Sequence, residues 1–196
     1  MRKYLIVITI VLALCSLVAC GDQKATGSVV SSSDEVKEDK DAPYVEGNKK
    51  IMQLENEEMQ MFIARYGWKM ERTPTGLYIE ILEPGHGEQF REGDRVMLEY
   101  KTFLLSGEQI YNSDSNGVKV FIVNRSEEIG ALHEAAQMMK PGAKARLVIP
   151  SYLAYGVAGD GDMIHVLQPI VMEIRALEND EQLPENNIQV SYSVAR

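Results

Sequence analysis

From Thr73 onward, apolar and polar residues alternate in short runs broken by turn residues. Val96, Leu98, Tyr100, Thr102 and Leu104 fall on one face of a long predicted strand, with Met97, Glu99 and Lys101 on the other. Leu77 to Leu82 and Val118 to Val123 read as shorter strands, and Ala145, Leu147, Ile149 and Ile170, Met172, Ile174 repeat the alternation. Thr73-Pro74-Thr75-Gly76, Glu83-Pro84-Gly85-His86-Gly87 and Ser106-Gly107 are the turns between them. One segment keeps a different period. Ile129, Leu132, Ala135, Ala136 and Met139 line one side of a predicted helix, opened by Ser126 with Glu128 and Ile129 and closed by Lys140-Pro141-Gly142. Antiparallel strands with a single amphipathic helix over 73–177 make an α+β domain.

The chain before this domain has other patterns. Met52, Met59, Phe62, Ile63 and Tyr66 recur at helical spacing among Glu55, Asn56, Glu57 and Glu58, which predicts an acidic helix over 44–67 stopped by Gly67. Its methionines serve either to pack the helix on the following domain or to form a peptide-binding surface. Residues 20–43 are rich in Ser, Lys, Asp and Glu and bury too little to offset ordering, so they predict a disordered tether. Residues 178–196 read as an acidic, flexible tail. At the start, Arg2-Lys3 precedes an apolar run from Tyr4 to Leu14, broken only by Thr9. The run is shorter than the about 20 residues of a membrane span and fits a signal peptide over 1–19.

Charge narrows the partners. Lys and Arg number 20 against 29 Asp and Glu, and loss of Arg2 and Lys3 with the leader takes the balance from −9 to −11. Such a chain has no general attraction to phosphate, which argues against nucleic acid. Cys15 and Cys20 both precede the domain, and His86, His133 and His165 lack ligand spacing, so no metal site is expected. Leu17-Val18-Ala19-Cys20 resembles the lipobox of bacterial lipoproteins, which implies diacylglycerol on the Cys20 sulfur and cleavage before it. The alternative is a plain secretory leader with an incidental cysteine. One acyl chain binds a membrane marginally and two or more hold it stably, so lipid suffices to anchor an acidic domain.

Gln137-Met138-Met139-Lys140-Pro141-Gly142, the strand Ala143 to Ile149, Ile149-Pro150 and Ala154-Tyr155-Gly156 together resemble the FKBP family of peptidyl-prolyl isomerases. Gly76-Leu77, Pro84-Gly85-x-Gly87, Val96-x-x-x-Tyr100 and Leu105-x-Gly107 match that family's opening, so the resemblance covers 73–177. The lipobox, the tether and the helix ending in Tyr66-Gly67-Trp68 are similar to a lipoprotein branch that includes gliding-motility-associated proteins. The resemblance implies a curved antiparallel sheet of about five strands wrapped on one helix, here preceded by an N-terminal helix. It also implies a folding helper in the cell envelope, lipid-anchored (to the outer membrane in particular), with its domain in the periplasm or at the surface. Its clients would be proline-containing polypeptides.

The implied chemistry needs no nucleophile and no cofactor. Rotation about an X–Pro bond crosses about 18–20 kcal/mol of lost amide resonance. An apolar pocket that excludes water favours the twisted, less polar transition state. By the resemblance, Tyr155 gives its hydroxyl to a substrate carbonyl, Ile129 forms a wall and offers its backbone N–H, and Tyr111 completes the catalytic set. Tyr100 and Leu132 form the floor and base, Phe121 and Met172 the walls, and Met163 and Ile164 the flap. The sequence departs from the family pattern in places. Leu132 stands for an aromatic and Met172 for phenylalanine, which predicts a softer, wider cleft. The family's Phe-Asp falls on Tyr111-Asn112 or on Ile110-Tyr111, so its carboxylate is missing. Lys119 stands where an aromatic is common, and His165-Val166 replaces Pro-Pro in the flap. A non-catalytic binding module for an envelope or motility-machinery partner is the competing reading.

Overall fold

The structure is a computed structural model and describes residues 42–178 and 188–190. The leader, Cys20 and the tether lie outside the described residues, as does most of the tail. The chain runs α1 (Ala42–Tyr66), β1 (Glu71–Arg72), β2 (Tyr78–Glu83), β3 (Arg95–Leu104), β4 (Gln109–Asn112), α2 (Ser113–Asn116), β5 (Val118–Ile122), α3 (Gly130–Met138), β6 (Lys144–Ile149), a 3₁₀ turn (Ser151–Leu153), β7 (Ile170–Ala176) and β8 (Ile188–Val190). The strands form one sheet in the order β1-β2-β6-β7-β3-β5-β8, with β4 branching from β3. The expected α+β architecture is present. Its strands β2, β6, β7, β3 and β5 make the continuous path, and β1, β4 and β8 are short additions.

Alternation decides which face each strand residue takes. Leu98, Tyr100, Leu147, Ile149, Ile170, Met172 and Ile174 are buried on the face that receives α3. Leu132, Ala135 and Ala136 of α3, with Met139 just beyond it, press into that face. Helix α3 begins at Gly130, later than its pattern predicts. Ser126 does not cap it: the Ser126 Oγ donates to Ile122 O and accepts from Ile122 N, closing the turn after β5 instead.

The opposite face carries α1. Tyr78, Val148 and Val171 point outward and are covered by Met59 and Phe62, with Ile63, Trp68 and Phe103 at the margin. The helix starts at Ala42, ahead of the expected position, and Pro43 costs it nothing because a first-turn N–H has no intrahelical acceptor. It ends as its sequence predicts. Gly67 has φ +65°, its N–H bonds Ala64 O, and the Trp68 N–H reaches back to Ile63 O. These paired bonds satisfy orphan carbonyls, and the left-handed position suits glycine. Met52, expected on the packed stripe, is 47% exposed, and Val45, Leu54 and Met61 are exposed as well. One turn before Met59, the carboxylate of Glu55 is buried. It accepts from the Ser151 N–H and, at 2.8 Å, from the Ser151 hydroxyl.

Within the tail, β8 pairs parallel with β5 through Val118↔Ile188 and Val120↔Val190, which corrects the expectation of a loose segment at those three residues. Val118 and Val120 sit on the strand edge beside Leu177 and Met97, an apolar border that a passing strand can use.

Leu147 is completely buried between α3 and the sheet. Leu147→Ala should destabilise the domain by about 2–5 kcal/mol through lost transfer energy and a residual cavity. A urea titration should show a lower midpoint at unchanged slope.

Candidate active site

The site grows from a fork in the sheet. One edge of β3 pairs with β7 from Leu98 to Leu104. Its other edge is shared, with β5 taking Arg95 to Leu98 and β4 taking Lys101 to Phe103. Tyr100 stands between the two partners. Its N–H is taken by Ser113 Oγ of α2 at 3.2 Å, so the break in the ladder leaves no buried donor unmet. Asn112, whose side chain accepts from the Ser115 N–H, caps α2. Asn112 is therefore committed to local structure, and its neighbours Ile110 and Tyr111 are the β4 residues that pack against the core.

Tyr100, Phe121, Leu132, Ile164 and Met172 join one buried cluster, against which Tyr111, Ile129 and Tyr155 are partly buried. Eight of the nine expected residues therefore belong to the main core cluster or pack against it. Met163 is the exception: its side chain is exposed, and only its backbone joins, donating to the Tyr111 hydroxyl at 3.2 Å. Cys20 lies outside the described residues. The expectation of a wider cleft is corrected. Leu132 is 0% and Met172 1% exposed, so the base is closed. The unbranched Met172 side chain can follow irregular space that a rigid ring would leave open. What remains accessible is a shallow groove of about 440 Å³ lined by Glu127, Glu128, Ile129, Gly130, Ala154 and Tyr155.

Tyr155 follows the 3₁₀ turn and lies in the loop tied down by the Ser151–Glu55 contact. Gly156 N–H and Ala154 N–H both bond Ser151 O, at 2.8 and 3.0 Å. No hydrogen bond from the Tyr155 hydroxyl is found among the described residues. Burial, then the nearby Glu128 carboxylate, push this phenol well above its ordinary range, so it stays a donor at any ordinary pH. Burial and Glu128 raise Tyr100 in the same way.

The flap is held by a carboxylate that sequence reading did not single out. Asp160 Oδ1 accepts from the Asp162 and Ile164 N–H groups, both at 2.9 Å, and Oδ2 accepts from the Tyr111 hydroxyl at 2.7 Å. Gly159 makes the turn possible. Its φ is +70°, and a Cβ there would stand 2.4 Å from Ile164 O. The family's missing β4 carboxylate is thus answered from the other side, by Asp160 on the flap bonding a tyrosine on β4. The available signal was Gly159-Asp160-Gly161-Asp162, a pattern that favours aspartate turns. Glu128 also enters the site, paired with Lys119, which stands where the family commonly has an aromatic. Lys119 Nζ meets Glu128 Oε2 at 3.0 Å with both side chains largely buried, and Glu128 Oε1 accepts from the Ile129 N–H at 3.0 Å.

The latch between Tyr111 and Asp160 has a defined pH window. Burial opposes ionisation of Asp160, but the bonds from Tyr111, Asp162 and Ile164 outweigh it and hold the carboxyl below its usual range. Its contribution is therefore complete above the unfolded carboxyl value of about 3.9 and is lost as pH falls through the lower folded value. Burial and the bond to Asp160 raise Tyr111 to about 12. Its contribution is complete below the ordinary phenol value of about 10 and is lost as pH rises from there through the folded value. Hydrogen exchange at the Ile164 amide should show strong protection in neutral solution. Protection should fall below about pH 4, near the free carboxyl value, and Asp160→Asn should show weak protection throughout.

With this geometry in hand, comparison with known proteins is direct. Residues 86–177 match the family model for FKBP-type peptidyl-prolyl cis-trans isomerases. The FKBP-type peptidyl-prolyl cis-trans isomerase FkpA of Escherichia coli K12 is 34% identical over 130 residues, 66% of this chain and 45% of that one. The chain spans about half the length of the FkpA relatives it matches. FK506-binding protein 1A of Neurospora crassa is 34% identical over 100 residues, which cover 50% of this chain and 83% of that protein. The crystal structure of a peptidyl-prolyl cis-trans isomerase from Pseudomonas syringae pv. tomato superposes with a TM-score of 0.54 at 30% identity, covering 66% of this chain and 93% of that one. These proteins are the chain's relatives in sequence and in fold, and the chain belongs to the FKBP-type peptidyl-prolyl cis-trans isomerase family.

Proposed function

We propose that the chain is a peptidyl-prolyl cis-trans isomerase that acts on X–Pro bonds of envelope proteins while lipid at Cys20 holds it to a membrane, the outer membrane of the cell envelope in particular. The observation that supports this reading is that Tyr155, Ile129 and Tyr111 are partly buried against the same apolar cluster as Tyr100 and Leu132, with Ile129 and Tyr155 lining one groove. A proline ring laid against that surface sheds water. The twisted imide, whose carbonyl is less polar than that of the planar amide, is favoured there relative to the ground state. Tyr155 supplies a phenol that stays protonated and has no competing partner among the described residues. Ile129 supplies a backbone N–H on the same side. Phe121 and Met172 brace the floor, and Ile164 with Met163 forms the flap over the entering chain.

The leader supports the anchor. Leu17-Val18-Ala19-Cys20 follows an apolar run too short to span a bilayer, and among the described residues no helix is long and apolar enough to cross a membrane. The tether of 20–43 would then set the reach of the domain from the bilayer, in the periplasm or at the cell surface.

A second reading keeps the family surface without turnover: a binding module for proline-containing segments of an envelope or motility-machinery partner. The closed base at Leu132 and Met172, with Glu128 already on the Ile129 N–H, favours it.

A coupled isomerisation assay on proline tetrapeptides separates the two. The purified chain should accelerate isomerisation, and Tyr155→Phe should lower kcat/KM by about tenfold, the scale of one hydrogen bond (about 1–1.5 kcal/mol) made in the transition state, with the melting temperature retained. Peptide binding without acceleration would establish the binding module instead. Cys20→Ser should abolish labelling by a fatty-acid probe and shift the chain from the membrane fraction to the soluble one. Retention with label would refute the anchor.

A further inference from the structure

The interior of the site holds an ion pair that the fold does not require. The side chains of Lys119 and Glu128 are 14% and 5% exposed. Stripping two charges of water costs several kcal/mol per ion, and a well-packed apolar pair of similar volume is often as stable or more so. Position 119 is the second residue of β5, paired with Leu98, where an apolar residue would serve the sheet at least as well. The pair also sits where a ligand must go. The Lys119 ammonium lies 5.4 Å from the centroid of the Tyr100 ring, the floor of the site. One Glu128 oxygen holds that ammonium, and the other holds the Ile129 N–H, the donor a substrate carbonyl would need. Glu128 also lines the accessible groove with Ile129 and Tyr155. A peptide carbonyl that takes the Ile129 N–H turns one Glu128 oxygen away, and because both contacts belong to one carboxylate this loosens the hold of the other oxygen on the largely buried Lys119 ammonium.

We infer that Glu128 is a built-in occupant of the substrate's hydrogen-bond donor and that Lys119 is a specificity residue, so that the site selects proline segments carrying a carboxylate side chain beside the proline. An incoming aspartate or glutamate replaces the anion that Glu128 withdraws, and its own carbonyl takes the released N–H. A neutral neighbour leaves Lys119 with the loosened contact alone. A basic neighbour adds like charge to it. No bond is made or broken, since the exchange is of one carboxylate for another. The inference rests on the reading of this surface as the proline site, whether or not it turns substrate over.

The test uses the purified full chain and three peptide sets with Glu, Leu or Lys flanking a single proline on either side. Exchange NMR follows cis–trans interconversion, and the Ile129 amide signal follows binding. Glu-flanked peptides should be favoured over Leu-flanked ones by about tenfold, the scale of one charge-assisted hydrogen bond, and Lys-flanked ones should be weakest. Lys119→Met should erase the preference. Because a single change leaves one buried charge unpaired, the paired variant Lys119→Met with Glu128→Leu provides a second test. It should fold, lose all charge preference and handle Leu-flanked peptides better than the wild type, with the Ile129 amide signal moved toward that of an unbonded N–H. Equal rates and equal binding for the three sets in the wild type, or a preference that survives in the paired variant, would overturn the inference. Absence of turnover with every peptide would remove the isomerase reading alone. In that case acid-selective shifts of the Ile129 amide would still support the inference, and unselective shifts, or none, would reject it.

Discussion

Everything that makes the site depends on one short helix lying in the hollow of a twisted sheet. Leu132, Ala135, Ala136 and Met139 fill that hollow, and their small and medium side chains let α3 approach the strands closely. Apolar area removed from water at this interface supplies the main drive for the fold. The same packing sets the position of Ile129, the residue immediately before the helix, and of the turn that carries Glu128. The strands answer with Tyr100, Phe121 and Met172 from β3, β5 and β7. A site assembled from the top of a core is rigid because the core is, and the residues that would touch a ligand are the last layer of residues that touch each other.

The parts of this arrangement legible in the sequence are those governed by period and by turn chemistry. Leu98, Leu147 and Met172 alternate with polar neighbours, Leu132 and Ala136 repeat at helical spacing, and Gly67 marks the end of α1. Each is a local rule that depends only on neighbours in the chain. The misreadings share a different cause. Met52 has the right spacing for the buried stripe of α1, but it lies beyond the part of the helix that the sheet covers. Ser126 looks like a helix cap, yet the turn after β5 competes for its hydroxyl. Ile188-Gln189-Val190 opens a run that alternates like a strand, but the acidic, amide-rich stretch before it dominates the tail's composition, and the pairing itself is placed by an edge that β5 leaves open. Among the candidate site residues, those in the apolar cluster could be placed by resemblance. Asp160, Glu128 and Glu55 could not be, because their roles come from partners 49 residues or more away in the chain, or from a buried cation, and charge in a sequence reads first as surface.

The interior charges of this domain hold one another or the backbone: Lys119 meets Glu128, and Glu55 meets Ser151. Among the described residues, no buried side-chain nitrogen or oxygen lacks a partner. Where the family pattern leads one to expect aromatic rings and a single acid, this chain has exchanged them for an ion pair against Tyr100 and a tyrosine–aspartate bond across the flap. Such exchanges are tolerable only when made in matched sets, since half of either pair would leave a desolvated group unmet. The pocket is therefore less a relaxed version of the family's than one with a different internal accounting of polarity.

The bond between Glu55 and Ser151 gives the two faces of the sheet a common fate. Glu55 can leave its burial only if α1 lifts away, and when it does, the Ser151 N–H and hydroxyl lose their acceptor just ahead of the loop that presents Tyr155. Undocking of the helix and loosening of the site are then a single opening reaction with a single free energy, detectable as one shared rate of solvent access at amides on opposite sides of the domain. Whatever lifts α1 is felt at the mouth of the site before any strand of the sheet parts from its neighbour.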